Sequence, residues 1–262
     1  MAIFTYGNIG VGVNMAKASV ASLFDYDFWR ASSTKITMYD DSSNMVTFSG
    51  ARLTFMMKNG DVKDVTAGTL TGVKFVIDGK AAWTVSGLNV SAVKLGDAIF
   101  ARNDKAFIDI LMAGNDLISG TSKGDTLLGG GGSDVLKGNA GNDKLFGGAG
   151  ADDLFGGTGA DRFSFSSLSD STSVARDSVF DFSRSEGDKI DLSAIDANKN
   201  ASGNQAFKFI ASEKFHGKAG ELRFEKKASD TYVYVDVNGD KKVDFTLHFD
   251  DPIALKATDF VL

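Results

Sequence analysis

The sequence has no cysteine, two histidines and four glutamates in 262 residues. Without cysteine there is no disulfide, no thiol nucleophile and no cysteine-ligated zinc. No run of 18 or more apolar residues occurs, so no transmembrane segment is expected. The balance of 28 basic against 34 acidic side chains, −6 overall, argues against a nucleic-acid partner, which needs a basic patch. The histidines are His216 and His248, and the glutamates are Glu186, Glu213, Glu221 and Glu225. H-E-x-x-H is absent, so a zinc-protease centre is excluded. Residues 1–110 contain no His, Glu or Cys, so no His-based triad can be built there. Only Asp, Lys and Tyr remain in that stretch for acid–base work.

What the chain does contain is lopsided. Four Glu among 34 acidic residues leave 30 Asp, and Gly is also 30. Both residues disfavour helix interiors and favour tight turns, and Asp supplies oxygen ligands to hard cations. The composition points to a mainly β, turn-dense protein that binds Ca²⁺. Hydrophobic residues at 43% are ample for a core. The length fits one or two domains, or one domain with a repeat array.

A repeat organises the middle of the chain. Asp recurs every nine residues, at Asp116, Asp125, Asp134, Asp143, Asp152 and Asp161. Two positions after each stands an apolar residue: Ile118, Leu127, Leu136, Leu145, Leu154 and Phe163. Two positions before each stands Gly, except at Lys123, where Gly124 comes next instead. GGGGSDVLK, GNAGNDKLF, GGAGADDLF and GGTGADRFS fit the nonapeptide G-G-x-G-x-D-x-U-x of Ca²⁺-binding parallel β-rolls. A flexible Gly-rich linker would have no reason to hold Leu, Ile or Phe in that phase.

The unit's physics derives from its residues. The glycine half turns sharply, because Gly accepts positive φ without a Cβ clash. The x-U-x half is a short strand whose central side chain points inward. Two units make one coil, so residues 18 apart stack about 4.8 Å apart on successive coils. One row is then Asp116, Asp134 and Asp152, the other Asp125, Asp143 and Asp161. Two carboxylates about 5 Å apart repel by roughly 3 kcal/mol at an effective dielectric near 20. Ca²⁺ between successive loops removes that repulsion. It takes oxygen from the aspartates and from loop carbonyls such as those of Gly129, Gly131, Gly138, Gly147 and Gly156. Zn²⁺ or Cu²⁺ would prefer His or Cys, which the repeats lack. The pairs Asp116/Asp134, Asp134/Asp152, Asp125/Asp143 and Asp143/Asp161 imply about four ions or more, with the Lys123 unit the weakest. Folding of the segment is expected to be coupled to binding.

These repeats resemble the repeat-in-toxin (RTX) family of secreted Ca²⁺-binding proteins. The segment C-terminal to them resembles the C-terminal domain of serralysin-type metalloproteases. The similarity is carried by GADRFSFSSLSDS (159–171), DSVFDF (177–182), GDKIDLSAIDAN (187–198), FHGKAGELRF (215–224), YVYVDVNGDKKVDFTLHF (232–249) and DFVL (259–262). The resemblance implies a parallel β-roll (111–166) joined to a C-terminal β-sandwich (167–262). It also implies secretion to the extracellular space through a type I ABC exporter of a Gram-negative bacterium. Such exporters read an uncleaved C-terminal signal, often an acidic residue followed by apolar ones. Asp259-Phe260-Val261-Leu262 fits, and a plain final strand is the alternative. The opening MAIFTYGNIGVGVNMAK lacks a basic stretch ahead of an apolar one, so no N-terminal signal peptide is expected. Protease activity does not carry over without the zinc motif.

In the family the run after the roll adds ligands, and Asp177, Asp181 and Asp188 occupy matching places. Capping turns by accepting backbone N–H groups is their alternative role. Asp236-Val-Asn238-Gly-Asp240 has EF-hand-like spacing, but Lys241 stands where that loop wants Gly. An Asn238-Gly239 hairpin turn between alternating strands explains it better.

Residues 1–110 carry no recognised motif. Ala16, Val20, Leu23, Phe24 and Phe28 lie at helical spacing, which predicts a helix over 13–30. Asn59-Gly60 and Asp78-Gly79 between apolar runs predict two hairpins. The pattern implies a small β-rich (α+β) domain, its last strand capping the roll. Asp25 and Asp27, beside Tyr26, Phe28 and Trp29, offer an acidic–aromatic surface for a sugar, or simply a solvated helix end. Asp40-Asp41 reads as a loop, and GNIGVG (7–12) is only a weak phosphate-loop signal. The sequence thus predicts a Ca²⁺-binding secreted protein whose N-terminal part binds a cell-surface or matrix glycan or protein. A polysaccharide-active hydrolase or lyase with its site in 1–110 is the alternative.

Overall fold

A computed structural model describes residues 2–6, 28–39, 45–58, 61–77, 80–101 and 103–262. Its first strands are β1 (Ala2–Tyr6), β2 (Phe28–Ser32), β3 (Lys35–Tyr39), β4 (Met45–Lys58), β5 (Asp61–Ile77) and β6 (Lys80–Ser91). They pair antiparallel in the order β1-β6-β5-β4-β3-β2. Both expected hairpins form: Lys58 pairs with Asp61 and Ile77 with Lys80, so each connection is two residues long. The dipeptides 59–60 and 78–79 themselves lie outside the described residues, as do Asp25, Asp27, 7–12 and 40–41. The helix expected over 13–30 is corrected at its end, where Phe28, Trp29 and Arg30 belong to β2. They are held there by pairing with Tyr39, Met38 and Thr37, so tertiary pairing overrides the local period. The rest of that segment lies outside the described residues.

Two helices come next, neither of them predicted from the sequence. Helix α1 (Ala92–Phe100) starts at Ser91, whose Oγ accepts the Lys94 N–H. Helix α2 (Asp104–Leu111) starts at Asn103, whose side chain accepts the Ala106 N–H. Their buried Ala92, Leu95, Ala98, Phe107 and Leu111 extend the core of Phe48, Val65, Val73 and Val85. Each such fully buried Leu contributes roughly 1.5–3 kcal/mol over an exposed one. The signal is present in the caps and in the 3.6-residue spacing, but the helices are only two or three turns long.

The repeats fold as a parallel β-roll. On one side run β7 (Asp116–Ser119), β9 (Val135–Lys137) and β11 (Asp153–Phe155); on the other run β8 (Thr126–Gly131), β10 (Lys144–Ala149) and β12 (Arg162–Ser164). Ile118 stacks on Leu136 and Leu136 on Leu154, while Leu127 stacks on Leu145 and Leu145 on Phe163. All six are fully buried. The 18-residue coil is therefore real, and a dry apolar ladder fills it. Glycine is obligatory at its corners: Gly150 has φ +148°, and a Cβ there would overlap the Gly132 carbonyl of the preceding coil.

The roll continues where the repeat stops. Strand β13 (Asp177–Val179) adds to β11, and β14 (Lys189–Asp191) adds to β12. Beyond them lie β15 (Lys208–Phe209), β16 (Glu221–Lys226), β17 (Thr231–Asp236), β18 (Phe245–Phe249) and β19 (Phe260–Val261). Strands β16, β17 and β18 form an antiparallel meander whose β18 lies parallel to β13, while β19 lies parallel to β14. The result is a 14-stranded sheet facing a 5-stranded one, joined by a core that includes Phe163, Phe165, Phe245 and Phe249. Edge-to-face pairs Phe165–Phe245 and Phe182–Phe249, with centroids 5.2 and 5.5 Å apart, tie the meander to the roll.

Two further expectations need correction. The roll's leading edge is covered by the first strand of the chain rather than the last strand of the N-terminal part. Strand β1 pairs parallel with β7, Ala2 opposite Asp116, and its other edge takes β6. A free edge is satisfied by whichever strand reaches it, not by the one next in sequence. The β17–β18 hairpin exists, but its loop spans 237–244 instead of two residues. Buried Asp236 organises it by accepting the N–H groups of Asn238, Gly239 and Lys241.

The chain end is a strand in the folded protein. Asp259 is buried, and both its oxygens accept from the Arg184 guanidinium. Arg184→Met would leave that carboxylate buried without its cation. Breaking such a pair costs about 2–3 kcal/mol for a half-exposed partner. A melting temperature lower by about 5–10 °C is the expected result, measured by calorimetry.

Candidate metal centre: two rows of buried carboxylates

The six repeat aspartates stand in the two rows expected from their spacing, and all are buried. Each row is knitted by one repeating bond, in which a backbone N–H donates to the Oδ1 of the Asp on the next coil. Asp116 donates to Asp134 at 2.7 Å, Asp134 to Asp152 at 2.8 Å, Asp125 to Asp143 at 2.7 Å and Asp143 to Asp161 at 2.8 Å. The rows then run past the repeat. Asp152 donates to Asp177 at 3.0 Å and Asp161 to Asp188 at 2.9 Å, over sequence steps of 25 and 27.

Oδ1 is thus engaged in Asp134, Asp143, Asp152, Asp161, Asp177 and Asp188, and in all of these but Asp188 Oδ2 is the chemically open atom. In Asp134, Asp143, Asp152, Asp161 and Asp177 it is buried with no hydrogen-bond partner. A buried anionic oxygen left so costs several kcal/mol unless a proton or a cation meets it. The glycine half supplies the room. A Cβ on Gly129, Gly138, Gly147 or Gly156 would overlap the Oδ2 of Asp134, Asp143, Asp152 or Asp161 respectively. At Gly129 and Gly138 it would also meet the carbonyls of Gly147 and Gly156 on the next coil. Carboxylate and carbonyl oxygens therefore converge on a space that only glycine leaves open. An all-oxygen donor set without nitrogen or sulfur is that of a hard cation such as Ca²⁺. The residues present fit the metal.

The other candidate ligands are placed differently. Gly131 has no atom near its Cβ position, and its carbonyl accepts the Gly114 N–H. Asp181 accepts from the N–H groups of Gly156 and Gly157, one on each oxygen, and Asp188 accepts from Asp161 and Ser183 in the same way. Of the three aspartates after the repeat, only Asp177 combines the row position with an unengaged oxygen. In the Lys123 unit, Thr121 donates both its N–H and its hydroxyl to Asp125 Oδ2. Thr121 thereby competes with a cation for that oxygen.

The electrostatics reflect the geometry. Burial raises Asp134 and Asp143 from the ordinary 3.8 to about 7, with neighbouring aspartates adding to the rise and the N–H bonds opposing it. Asp152 and Asp188 rise to about 6 and Asp177 to about 9, and Asp161 is raised too, burial being the leading cause in each. These folded values lie above the unfolded one. Their contribution to metal-free stability is complete below about pH 4 and is lost as the pH climbs through 6 to 9. Acidifying the metal-free protein from about pH 8 to pH 5 should therefore shift it toward the folded form, measured as a gain in the roll's circular dichroism. At about pH 6.5, Ca²⁺ should displace protons. Calorimetry in buffers of different ionisation enthalpy measures that release, and buffer-independent heats would contradict it.

A family model described as Peptidase M10 serralysin C terminal matches residues 97–262. The chain belongs to this family. The serralysin C-terminal match begins within α1 and takes in the whole roll and the meander beyond it. The roll is accordingly an RTX-type calcium-binding β-roll. Two solved structures are similar to the chain, both solution structures of subunits of the Azotobacter vinelandii mannuronan C5-epimerase. The AlgE6R3 subunit is 33% identical with a TM-score of 0.41, over 56% of this chain and 78% of that one. The AlgE6R2 subunit is 30% identical with a TM-score of 0.41, over 57% and 88%. Among curated proteins no match is found. No helix among the described residues is long and apolar enough to cross a membrane.

Proposed function

We propose that this protein is a secreted RTX protein that passes a type I ABC exporter unfolded and folds on meeting extracellular Ca²⁺, with about four or more ions in the roll. The observation that carries this reading is the pair of buried aspartate rows in which the Oδ2 atoms of Asp134, Asp143, Asp152, Asp161 and Asp177 have no hydrogen-bond partner. Such rows are unfavourable as bare anions, so the chain stays unfolded in Ca²⁺-poor cytosol and folds where Ca²⁺ is millimolar. Ions are assigned between Asp134 and Asp152, Asp143 and Asp161, Asp152 and Asp177, and at the leading pairs Asp116/Asp134 and Asp125/Asp143. Residues 1–110 serve as the partner-binding part, directed at a cell-surface or matrix glycan or protein. Their lack of Glu, His and Cys supports binding over catalysis.

The test is export from a Gram-negative host with and without a type I exporter. Full-length chain should appear in the medium only with the exporter, and residues 1–110 alone should stay in the cell. Exporter-independent release, or retention of the full chain, overturns the reading.

A further inference from the structure

The outer face of the meander carries a second constellation, unrelated to the calcium rows. Strands β13, β17 and β18 alternate, so Asp177, Val179, Leu247 and Phe249 are buried while Ser178, Tyr232 and His248 face outward. His248 stands opposite Ser178 on one side and Tyr232 on the other. Its Nδ1 is 2.9 Å from Ser178 Oγ, and its Nε2 is 3.1 Å from Asp230 Oδ1. Asp250 comes directly after β18, and ligand atoms of Asp230, His248 and Asp250 all lie within 4.8 Å of one another.

We propose that Asp230, His248 and Asp250 form a surface site for a first-row transition-metal dication of the Zn²⁺ type, distinct from the Ca²⁺ sites. Three observations converge. Two carboxylates with one imidazole match zinc or its neighbours, because the nitrogen donor selects against Ca²⁺. The separation of 3.1 Å between Nε2 and Oδ1 is close to the roughly 3.3 Å between two ligands of a tetrahedral zinc with bonds of about 2.0–2.1 Å. The imidazole is also oriented as metal-bound histidines are: Ser178 Oγ can accept the Nδ1–H, and Nε2, which hydrogen-bonds Asp230 Oδ1 without metal, can then give up that proton for a cation held between the two.

The surroundings are compatible. Lys227 and Arg176, the nearby cations, sit over the Tyr232 ring at 4.4 and 5.2 Å from its centroid, with Lys227 also lending positive charge to Asp230, whose Oδ2 accepts from Ser229. Asp153, opposite Ser178 on the next strand, adds negative charge felt at His248. Three protein ligands, one of them exposed, leave a coordination position for water or for a ligand atom from a partner.

The experiment uses the full chain in saturating Ca²⁺, which keeps the roll occupied. It is titrated with Zn²⁺ by calorimetry and with Co²⁺ by visible absorption. One equivalent should bind, Co²⁺ showing the intense bands of a low-symmetry site. His248→Gln should abolish the signal and Asp250→Asn should weaken affinity by about tenfold or more. Ser178→Ala should weaken it by about tenfold through loss of the second hydrogen bond. Asp250 is exposed, so its variant reports even where the His248 variant misfolds. No Zn²⁺ heat in the wild-type chain overturns the proposal, as does binding that survives both ligand substitutions, which would place the metal at His216 or in the roll.

Discussion

Removing Ca²⁺ with a chelator is expected to abolish most of the roll's circular dichroism and to leave residues 114–262 without a cooperative melt near room temperature. The magnitude comes from linkage. A site at a hundred times its dissociation constant stabilises the folded state by about 2.7 kcal/mol. Four such sites contribute about 11 kcal/mol, the scale of a whole domain's net stability of about 5–15 kcal/mol. Against this, the folded roll buries only the apolar ladder of Ile118, Leu127, Leu136, Leu145, Leu154 and Phe163 along its axis, and that burial does not depend on the metal for its driving force. It must balance the ordering of short three-residue strands and of glycine-rich corners, the costliest residues to fix. The metal-free rows also hold carboxylates raised to about 7 and about 9, so near neutral pH part of the folding free energy goes into protonating or confining them. A chelated sample whose spectrum and melt match the Ca²⁺-loaded ones would sink the coupling.

The second large effect is expected from Gly147→Ala. This change adds one methyl group and asks for no forbidden backbone angle, since only its Cβ position conflicts: it would overlap Asp152 Oδ2 and Cγ. Asp152 is held from the other side by the Asp134 N–H and cannot withdraw without breaking its row. Loss of Ca²⁺ affinity by about tenfold or more at the sites sharing Asp152 is expected. In saturating Ca²⁺ the melt should fall by about 6–12 °C, corresponding to about 3 kcal/mol for a buried overlap. Gly131→Ala is the matched control, because no atom lies near its added methyl. It should stay within about 0.5 kcal/mol of the parent. Equal behaviour of the two variants would show that the space beside Gly147 is not where the cation sits.

How much of this was legible in the sequence divides along the range of the interactions. Within the repeat, each residue's role is set by neighbours at a constant spacing of nine. The phase of Asp, Gly and Leu therefore determined the coil, the inward ladder and the two carboxylate rows. Beyond Phe163 the spacing breaks. The steps that bring Asp177 under Asp152 and Asp188 under Asp161 are 25 and 27 residues, because loops of unequal length intervene. No period can reveal such partners, and only pairing of β13 and β14 onto the free roll edge places them. The same holds for Asp181, for which the sequence leaves a ligand role and the capping of backbone N–H groups both open, and which the fold sets against the Gly156 and Gly157 N–H groups. The capping of β7 by β1 and the meeting of Ser178, Asp230, His248 and Asp250 also rest on contacts between distant segments. The sequence by itself determined which residues turn, which point inward and that the repeat suits a hard cation. The tertiary structure alone decided where the rows end and what else assembles on the outer face, since those depend on which open strand edge each distant segment finds.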